Sequence, residues 1–235
     1  MGEHTVTSFD EELEQIDRLI REMGDNAGSM VADAIRALLS SDSALGQRVV
    51  SEDAIMDAKQ RELDDRAITL IAKRQPMAQD LRAVVGAIRM AGDLERIGDL
   101  AKNIAKRVSA VGQTAAPKSL SHSIDSMAAL VLDQVKLVID KYVAREPDAL
   151  RTLRAEDEKI DVKYTAIFRE LLTYMMEDPR NITACTHLLF CAKNLERIGD
   201  HVTNIAENAY FVMTGEQLPP NRPKLDETTM TVLAE

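Results

Sequence analysis

The stretch DLERIGD, residues 93–99, contains a hexamer, LERIGD, that returns unchanged at residues 195–200. Both copies lie inside long runs in which apolar residues recur every three or four positions, which is typical of amphipathic helices. A glycine inside a helix costs about 1 kcal/mol relative to alanine, and acids four residues apart repel one another. The apolar residues of the two halves have drifted apart while this hexamer has not. The pattern therefore indicates a duplicated helical unit with one constrained face.

The repeat extends outward from the hexamer to a second segment of each half. EDAIMD, residues 52–57, matches EDEKID, residues 156–161, and a proline follows each of these helical stretches. Proline disfavours the helix interior, so it marks the connections. The periodicity predicts six helices, at about residues 9–39, 45–73, 77–111, 120–144, 148–176 and 180–214.

The predicted fold class is all-α, with two tandem three-helix bundles related by internal duplication. Long helices joined by short turns pack antiparallel, which favours one bundle per half. The alternative architecture is a single six-helix bundle. The predicted units are a first bundle over 9–111, a linker, GQTAAPKS, over 112–119, a second bundle over 120–214 and a mobile tail over 215–235.

Composition excludes several classes of protein. The chain has 235 residues, 45% of them apolar, which is enough for a core. Its formal net charge of −10 disfavours nucleic-acid binding, which depends on Lys and Arg. The N-terminus has no signal-peptide pattern, and the apolar runs are too short to span a bilayer. Cys185 and Cys191 point to different sides of one predicted helix, so a reducing compartment is expected.

The acids of the duplicated segments form four pairs at helical spacing of four residues. Glu95 and Asp99, and likewise Glu196 and Asp200, fall on the side of their helix opposite the local apolar residues, and we expect them to face away from the core. If the middle helix of each half lies alongside, four carboxylates converge there, and a bound Mg²⁺, Ca²⁺, Mn²⁺ or iron ion would remove their repulsion. The predicted metal ligands are Asp53, Asp57, Glu95, Asp99, Asp157, Asp161, Glu196 and Asp200.

Besides metal binding, the sequence allows three roles for these acids. The first is a solvated face, which is the usual role of an isolated pair of acids on a helix. The second is an ion pair with Arg96 or Arg197, which follow the first acid of each pair. The third is helix packing, which accounts well for Gly98 and Gly199 but poorly for the carboxylates. His201 follows Asp200 but has Leu100 in the first half, so a boundary histidine is expected there.

The chain resembles the PhoU family of bacterial phosphate-transport accessory and signalling proteins over about residues 9–214. The resemblance is carried by PMAQDLR at 76–82, by DLERIGDLAKNIAKR and NLERIGDHVTNIAENA, and by two E(D)xxxD motifs in each half. It implies two three-helix bundles with pseudo-twofold symmetry. It also implies multinuclear metal binding through the eight acids named above, with iron, zinc, manganese or magnesium as the metal.

The resemblance further implies what such a protein does. It implies a cytoplasmic, non-enzymatic negative regulator of phosphate uptake and phosphate-regulon signalling, which is often a homodimer. The implied partners are the ATPase subunit of an ABC phosphate transporter and a phosphate-sensing histidine kinase, with only peripheral membrane association through them. The rival from another class is a carboxylate-bridged metalloenzyme or metal-storage bundle. No Glu-x-x-His pair typical of di-iron bundles occurs in the sequence.

Overall fold

The computed structural model describes residues 2–111 and 118–218. Nearly all of these residues are helical, and no strand occurs within them, which confirms the all-α prediction. The helices are α1 Gly2–Ser40, α2 Ser43–Arg74, α3 Gln79–Ala105, α4 Val108–Val111, α5 Lys118–Ala144, α6 Pro147–Glu156, α7 Glu158–Glu177 and α8 Ile182–Thr214, with a short 3₁₀ turn at Pro179–Asn181 before α8.

The ends of the helices follow from local chemistry. The Asp42 carboxylate accepts hydrogen bonds from the backbone N–H of Ala44 at 3.0 Å and of Leu45 at 2.9 Å, which caps the start of α2. Pro147 occupies the first turn of α6, where its missing N–H is not needed. Gly215 ends α8 at a φ of 78°, a left-handed conformation that glycine adopts without strain.

Two predicted helix boundaries are wrong. The third helix ends at Ala105 instead of 111, because the N–H of Arg107 bonds to the Ile104 carbonyl at 3.0 Å and tightens the chain before α4. The helix predicted over 148–176 is interrupted at Asp157, where the Ile160 N–H bonds to the Asp157 carbonyl at 2.9 Å. The apolar periodicity runs through both turns, so the sequence does not signal them.

The other predicted boundaries agree to within a few residues, apart from α1, which begins at Gly2. Of the predicted linker, residues 112–117 lie outside the described part, and α5 already begins at Lys118. The predicted mobile tail also lies outside it from residue 219 onward.

Each half is a three-helix unit, and the two units share one core. Helices α1, α2 and α3 pack together in the first half, and α5, the α6–α7 pair and α8 pack together in the second. Equivalent helices then pack against each other, α1 along α5 and α3 along α8. The buried apolar residues form one contiguous cluster that crosses this boundary. The internal repeat is therefore visible in the arrangement of the helices, but the two halves are joined by a continuous apolar core.

Glycines let the equivalent helices approach each other closely. A Cβ on Gly86 of α3 would overlap Cγ2 of Val212 on α8. A Cβ on Gly24 of α1 would lie 2.5 Å from Cγ1 of Ile139 on α5. Both separations are below van der Waals contact, so a side chain at either glycine would push the two halves apart.

Polar contacts add to the packing between halves. The Tyr142 hydroxyl on α5 donates a hydrogen bond to Asp17 of α1, and Arg145 pairs with the same carboxylate. The Arg82 guanidinium of α3 donates to the Val212 carbonyl at 3.4 Å, near the C-terminus of α8, where a cation is favourable. Cys185 and Cys191 are buried free thiols, and burial raises the pKa of the Cys191 thiol to about 12.

No helix among the described residues combines the length and the apolar character that crossing a bilayer requires.

We predict that Gly86→Ala destabilises the protein by about 1–3 kcal/mol, because the stiff β-branched Val212 must move to admit the new methyl group. Gly28→Ala in α1 is the matched control. Its Cβ would meet Cγ1 of Val135 at an ordinary 3.8 Å, so the gain in helix propensity, up to about 1 kcal/mol, should dominate. Urea unfolding followed by circular dichroism measures both. Equal stability of the two variants would contradict the close approach of α3 and α8.

Candidate metal centre

The first acidic cluster lies where α2 packs on α3. Asp53 and Asp57 come from α2, and Glu95 and Asp99 come from α3. The condition for convergence of the four acids, that the middle helix lies alongside the third, is therefore met in the first half. All four side chains are partly buried, and repulsion from Asp99, Asp57 and Asp53 acts on Glu95.

A lysine that the sequence pattern did not single out neutralises this cluster. The Lys102 ammonium of α3 lies 2.6 Å from Oδ2 of Asp53 and 2.5 Å from Oδ1 of Asp99, and it joins the two helices. Arg96 adds a second cation, 3.0 Å from Oδ2 of Asp99 and 3.5 Å from Oε2 of Glu95. The neutralising role expected for Arg96 is therefore present, with Lys102 at the centre.

The pKa values of the first cluster reflect this arrangement. Burial raises the pKa of Asp99, but hydrogen bonds and charge from Lys102 and Arg96 outweigh it, so the pKa lies below its ordinary value. Burial lowers the pKa of Lys102, yet the two aspartates hold it above its ordinary range. The pKa of Glu95 is raised, first by burial and then by Asp99, while Arg96 opposes the change. Asp99 and Lys102 are thus a stable ion pair.

The second acidic cluster is much more deeply buried. Asp157, Asp161 and Glu196 expose only 1%, 3% and 4% of their surface, and Asp200 is partly buried beside them. The expectation that the acids face away from the core is wrong here. Asp157 and Ile160 pack against α8 at Gly199, next to Asp200, so these acids lie at a helix contact instead of on a solvated face.

Gly199 makes this contact possible. A Cβ at Gly199 would lie 2.7 Å from Oδ1 of Asp157 and 3.0 Å from Cδ1 of Ile160. In the first copy, a Cβ at Gly98 would meet Cγ of Met56 at 3.3 Å. The glycine of each LERIGD thus admits the neighbouring helix, as the packing argument expected, but only Gly199 has a carboxylate directly against its Cα.

The second cluster differs from the first at the repeat position of Lys102. Thr203 occupies the repeat position of Lys102, and it is buried at 1% exposure with no hydrogen-bond partner for its hydroxyl among the described residues. Lys193 pairs with Oε1 of Glu196 at 2.9 Å, while Oε2 of Glu196 is buried and receives no hydrogen bond within the described chain. Burial raises the pKa of Glu196, Lys193 opposes the change, and Asp200 and Asp161 add to it.

These donors suit a hard metal ion, although the side chains are not arranged around one. Carboxylate and hydroxyl oxygens are the ligands preferred by Mg²⁺, Ca²⁺ and Mn²⁺. Within residues 2–111 and 118–218, no group of three or more His, Cys, Asp or Glu side chains is placed to hold a metal ion directly. Metal binding would require side-chain rotation, and the buried oxygens of Glu196 and Thr203 are the atoms with hydrogen-bonding capacity to spare.

The surroundings of the clusters include a polar cleft between the halves. The cleft has a volume of about 660 Å³ and is lined by residues of α2, α3 and α8, among them Arg89, Glu95 and Asn208. Beside it, Nδ1 of His201 lies 2.9 Å from Oδ1 of Asp93 across the α3–α8 contact. His201 is therefore a boundary residue, as expected. An ion pair between Asp99 and Lys102 was predictable, because the two residues lie three apart on one helix. The contact between Asp93 and His201 was not, because these residues come from different halves of the chain.

The comparison with known proteins supports the internal duplication. The family model described as PhoU domain matches the chain twice, over residues 20–108 and 124–209. A phosphate-specific transport system accessory protein PhoU homolog of Rhizobium meliloti is 56% identical over 96% of this chain and 95% of that protein. A homolog with the same description from Caulobacter vibrioides is 50% identical over 96% of this chain and 98% of its own length.

Solved structures show the same fold. The crystal structure of PhoU from Pseudomonas aeruginosa superposes with a TM-score of 0.85 at 33% identity and covers 88% of this chain and 100% of that one. The regulatory protein PhoU from Streptococcus pneumoniae superposes with a TM-score of 0.82 at 26% identity and covers 90% and 99%. The six-helix architecture with two copies of one domain is therefore confirmed.

We predict opposite effects for two neutralising substitutions in protein freed of metal by a chelator. Glu196→Gln should raise the unfolding midpoint at pH 7, because the raised pKa of Glu196 means that its ionised form is disfavoured in the fold. Asp99→Asn should lower stability by about 1 kcal/mol, because the ionised form of Asp99 bonds to Lys102.

The pH dependence of these two effects checks their cause. The gain from Glu196→Gln should vanish well below pH 4.5, the ordinary pKa, where Glu196 is protonated in both states. The loss from Asp99→Asn should disappear as pH falls through the lowered pKa of Asp99. Thermal unfolding by circular dichroism across this range is the measurement. If both substitutions changed the unfolding midpoint in the same direction at pH 7, the opposite pKa shifts of Glu196 and Asp99 would be contradicted.

We also predict that the two hexamer glycines differ in tolerance. Gly199→Ala should cost about 1–3 kcal/mol, because the new Cβ requires both Asp157 and Ile160 to move. Gly98→Ala should stay near wild-type stability, since the flexible Met56 side chain can yield and alanine favours the helix by about 1 kcal/mol. Calorimetric unfolding compares them, and a larger loss at Gly98 would contradict the packing described above.

Proposed function

The chain belongs to the PhoU family, and from that membership we propose that it is a negative regulator of phosphate uptake and of phosphate-regulon signalling. It is a non-enzymatic accessory protein of a phosphate transport system, as its relatives are named. The observation that carries the proposal is the match over 96% of the chain, which includes both LERIGD copies and the helices that bring acids to them.

We expect the regulator to act by docking to two partners in the cytoplasm, which are the ATPase subunit of an ABC phosphate transporter and a phosphate-sensing histidine kinase. The description of its relatives as accessory proteins of the phosphate-specific transport system supports the first partner. A chain with a net charge of −10 is attracted to basic partner surfaces. Membrane association would be peripheral and indirect, and the protein would form a homodimer.

A metal ion bound by the E(D)xxxD motifs forms the second part of the proposal. The second cluster offers the stronger site, with three carboxylates that are almost fully buried and a buried hydroxyl. Such burial disfavours ionised carboxylates unless a cation compensates them. The motif predicts ligands in the first cluster as well, at Asp53, Asp57, Glu95 and Asp99.

The position of Asp157 gives metal binding a route to the rest of the fold. Asp157 lies at the one-residue interruption between α6 and α7, and its side chain meets α8 at Gly199 instead of capping α7. A cation shared by Asp157, Asp161 and Glu196 would fix that junction against α8. Because α8 also packs on α3 and α5, binding at this cluster would bias the helices that join the two halves.

A metalloenzyme or metal-storage bundle is the alternative raised by the carboxylates. Its relatives are named as accessory and regulatory proteins, which disagrees with an enzyme. His201, which follows Asp200 in the sequence, is engaged with Asp93 across the helix contact, so it supports ligation poorly. Oxygen-dependent turnover by iron-loaded protein would favour this alternative.

We predict that deletion of the gene derepresses a reporter driven by a phosphate-starvation promoter in phosphate-rich medium. Wild-type protein should restore repression. The double variant Asp161→Asn with Glu196→Gln should restore it less well, because it removes two buried charges that a cation would bind. Glu158→Gln is the matched control, since Glu158 is an exposed acid on the same helix as Asp161. Its repression should equal that of the wild type.

Protein levels and thermal unfolding of each variant must be compared with the wild type, so that lost repression is not lost protein. Full repression in the deletion strain without the protein would contradict the regulatory proposal. Full repression by the double variant would leave regulation intact and remove the metal from it.

A further inference from the structure

The first helices of the two halves, α1 and α5, repeat a second pattern of charges. At a constant offset of 100 residues, three charged positions of α1 return on α5, as Asp25 with Asp125, Asp33 with Asp133, and Arg36 with Lys136. Few other positions of this stretch are identical. Asp25 and Asp125 are exposed, and neither has an ion pair or a hydrogen bond within the described part of the chain. Folding therefore does not account for their return in both halves.

The repeated residues lie along one open groove between α1 and α5. The two helices run antiparallel, since Gly24 and Gly28 of α1 face Ile139 and Val135 of α5, respectively. One end of the groove is a pocket of about 480 Å³, and the other end is a pocket of about 340 Å³. Leu132 lines both pockets, so they form one continuous surface.

The two pockets are equivalent under the internal repeat. The larger is formed by residues from 32–40 of α1 and 125–132 of α5, and the smaller by residues from 24–29 of α1 and 132–140 of α5. Exchanging the two halves at the offset of 100 converts one pocket into the other. The groove thus presents the same kind of binding surface twice, about ten residues apart, which is roughly 15 Å along a helix.

Each pocket has an apolar floor and a charged rim. Small residues such as Gly28, Ala32 and Ala129 keep the floor open. The rim carries two bases, Arg36 and Lys136, and four exposed aspartates, Asp25, Asp125, Asp133 and Asp140. Arg36 already pairs with Asp33 at 3.2 Å, while the four rim aspartates have no ion pair within residues 2–111 and 118–218. The groove therefore has an excess of negative charge along its edges.

We propose that this groove docks an amphipathic helix of a partner protein, with apolar side chains in both pockets and Lys or Arg side chains against the rim aspartates. A helix presents a ridge that fills a concave groove, and apolar residues about eleven positions apart lie three turns apart on one face. Basic flanks are expected because the rim acids need complementary charge. A second copy of this chain would instead set one concave groove against another and add further acids.

The inference rests on the proposed function in one respect, because it takes docking as the role of the protein and names the surface that docks. The first test measures binding of a defined peptide to the full-length protein by fluorescence anisotropy. The peptide is a fluorescein-labelled helix of about 18 residues, with leucines on one face and lysines beside them. It should bind, and a peptide with glutamate in place of each lysine should not.

Variants that fill the groove test its position. Ser29→Trp with Ala129→Trp alters two exposed, repeat-equivalent residues, one in each pocket. This variant should bind the lysine peptide about tenfold more weakly or worse, because each tryptophan excludes an apolar side chain. Thr173→Trp, at an exposed position of α7, is the matched control and should bind like the wild type. Unchanged binding by the double tryptophan variant would overturn the proposal.

Variants that keep the same net charge test the rim. Asp25→Asn with Asp125→Asn should weaken binding of the lysine peptide. Asp65→Asn with Glu158→Gln removes two exposed acids outside the groove and should not. Equal weakening in both variants would show a general attraction to an acidic chain, and the assignment to the groove would fail.

Photocross-linking in cells identifies the natural occupant. Benzoylphenylalanine in place of Ala129 should cross-link to a segment of another protein that has apolar residues at helical spacing and basic residues beside them. A cross-link to a second copy of this chain, or no cross-link, would overturn the proposal. Repression by the double tryptophan variant at the wild-type level would also overturn it while leaving the regulatory function intact. If the gene deletion leaves repression unchanged, the regulatory function fails, and the peptide measurements still decide whether the groove binds a basic helix.

Discussion

A carboxylate that loses water on folding needs a cation or a proton, and this requirement shapes both copies of LERIGD. Each copy brings acids to a contact between two helices, where hydration is reduced and like charges meet. In the first copy, a lysine from the same helix satisfies the requirement and joins α2 to α3. In the second copy, the acids are buried more deeply, and a threonine stands where that lysine would be. The two copies therefore present the same acids at different depths of burial and with a different residue at one repeat position.

The shared core couples the two acidic clusters structurally, because both lie on helices that pack into it. The first acidic cluster lies where α2 meets α3, and the second lies where α7 meets α8. Helices α3 and α8 in turn pack against each other between the two halves. Because α3 and α8 pack on each other at glycine-mediated distance, the two clusters belong to one packed body. A cation that fixes the α6–α7 junction against α8 would therefore act on the surface that both halves share. Such a fold is suited to a regulator that changes its docking state without catalysing a reaction.

The helices were predictable because apolar periodicity and proline breaks are local signals. The convergence of four acids per half was only a conditional expectation, because the sequence shows which residues share a face of a helix and not which helices are adjacent. Deep burial of Asp157 and Glu196 did not follow, because the helical wheel shows the side of a helix but not which helix covers it. The break at Asp157 was missed for a related reason, as the periodicity continues across the turn. The role of Lys102 needed geometry, because a lysine three residues from Asp99 reads as an ordinary exposed ion pair until Asp53 is placed opposite it.

The most direct test of this account is anomalous X-ray diffraction at the manganese edge from crystals of the full chain grown with Mn²⁺. The account predicts an anomalous peak among Asp157, Asp161, Glu196 and Asp200, the acids that are buried where α7 meets α8. No peak at these acids in Mn²⁺-grown crystals would contradict the claim that the second cluster binds a metal ion.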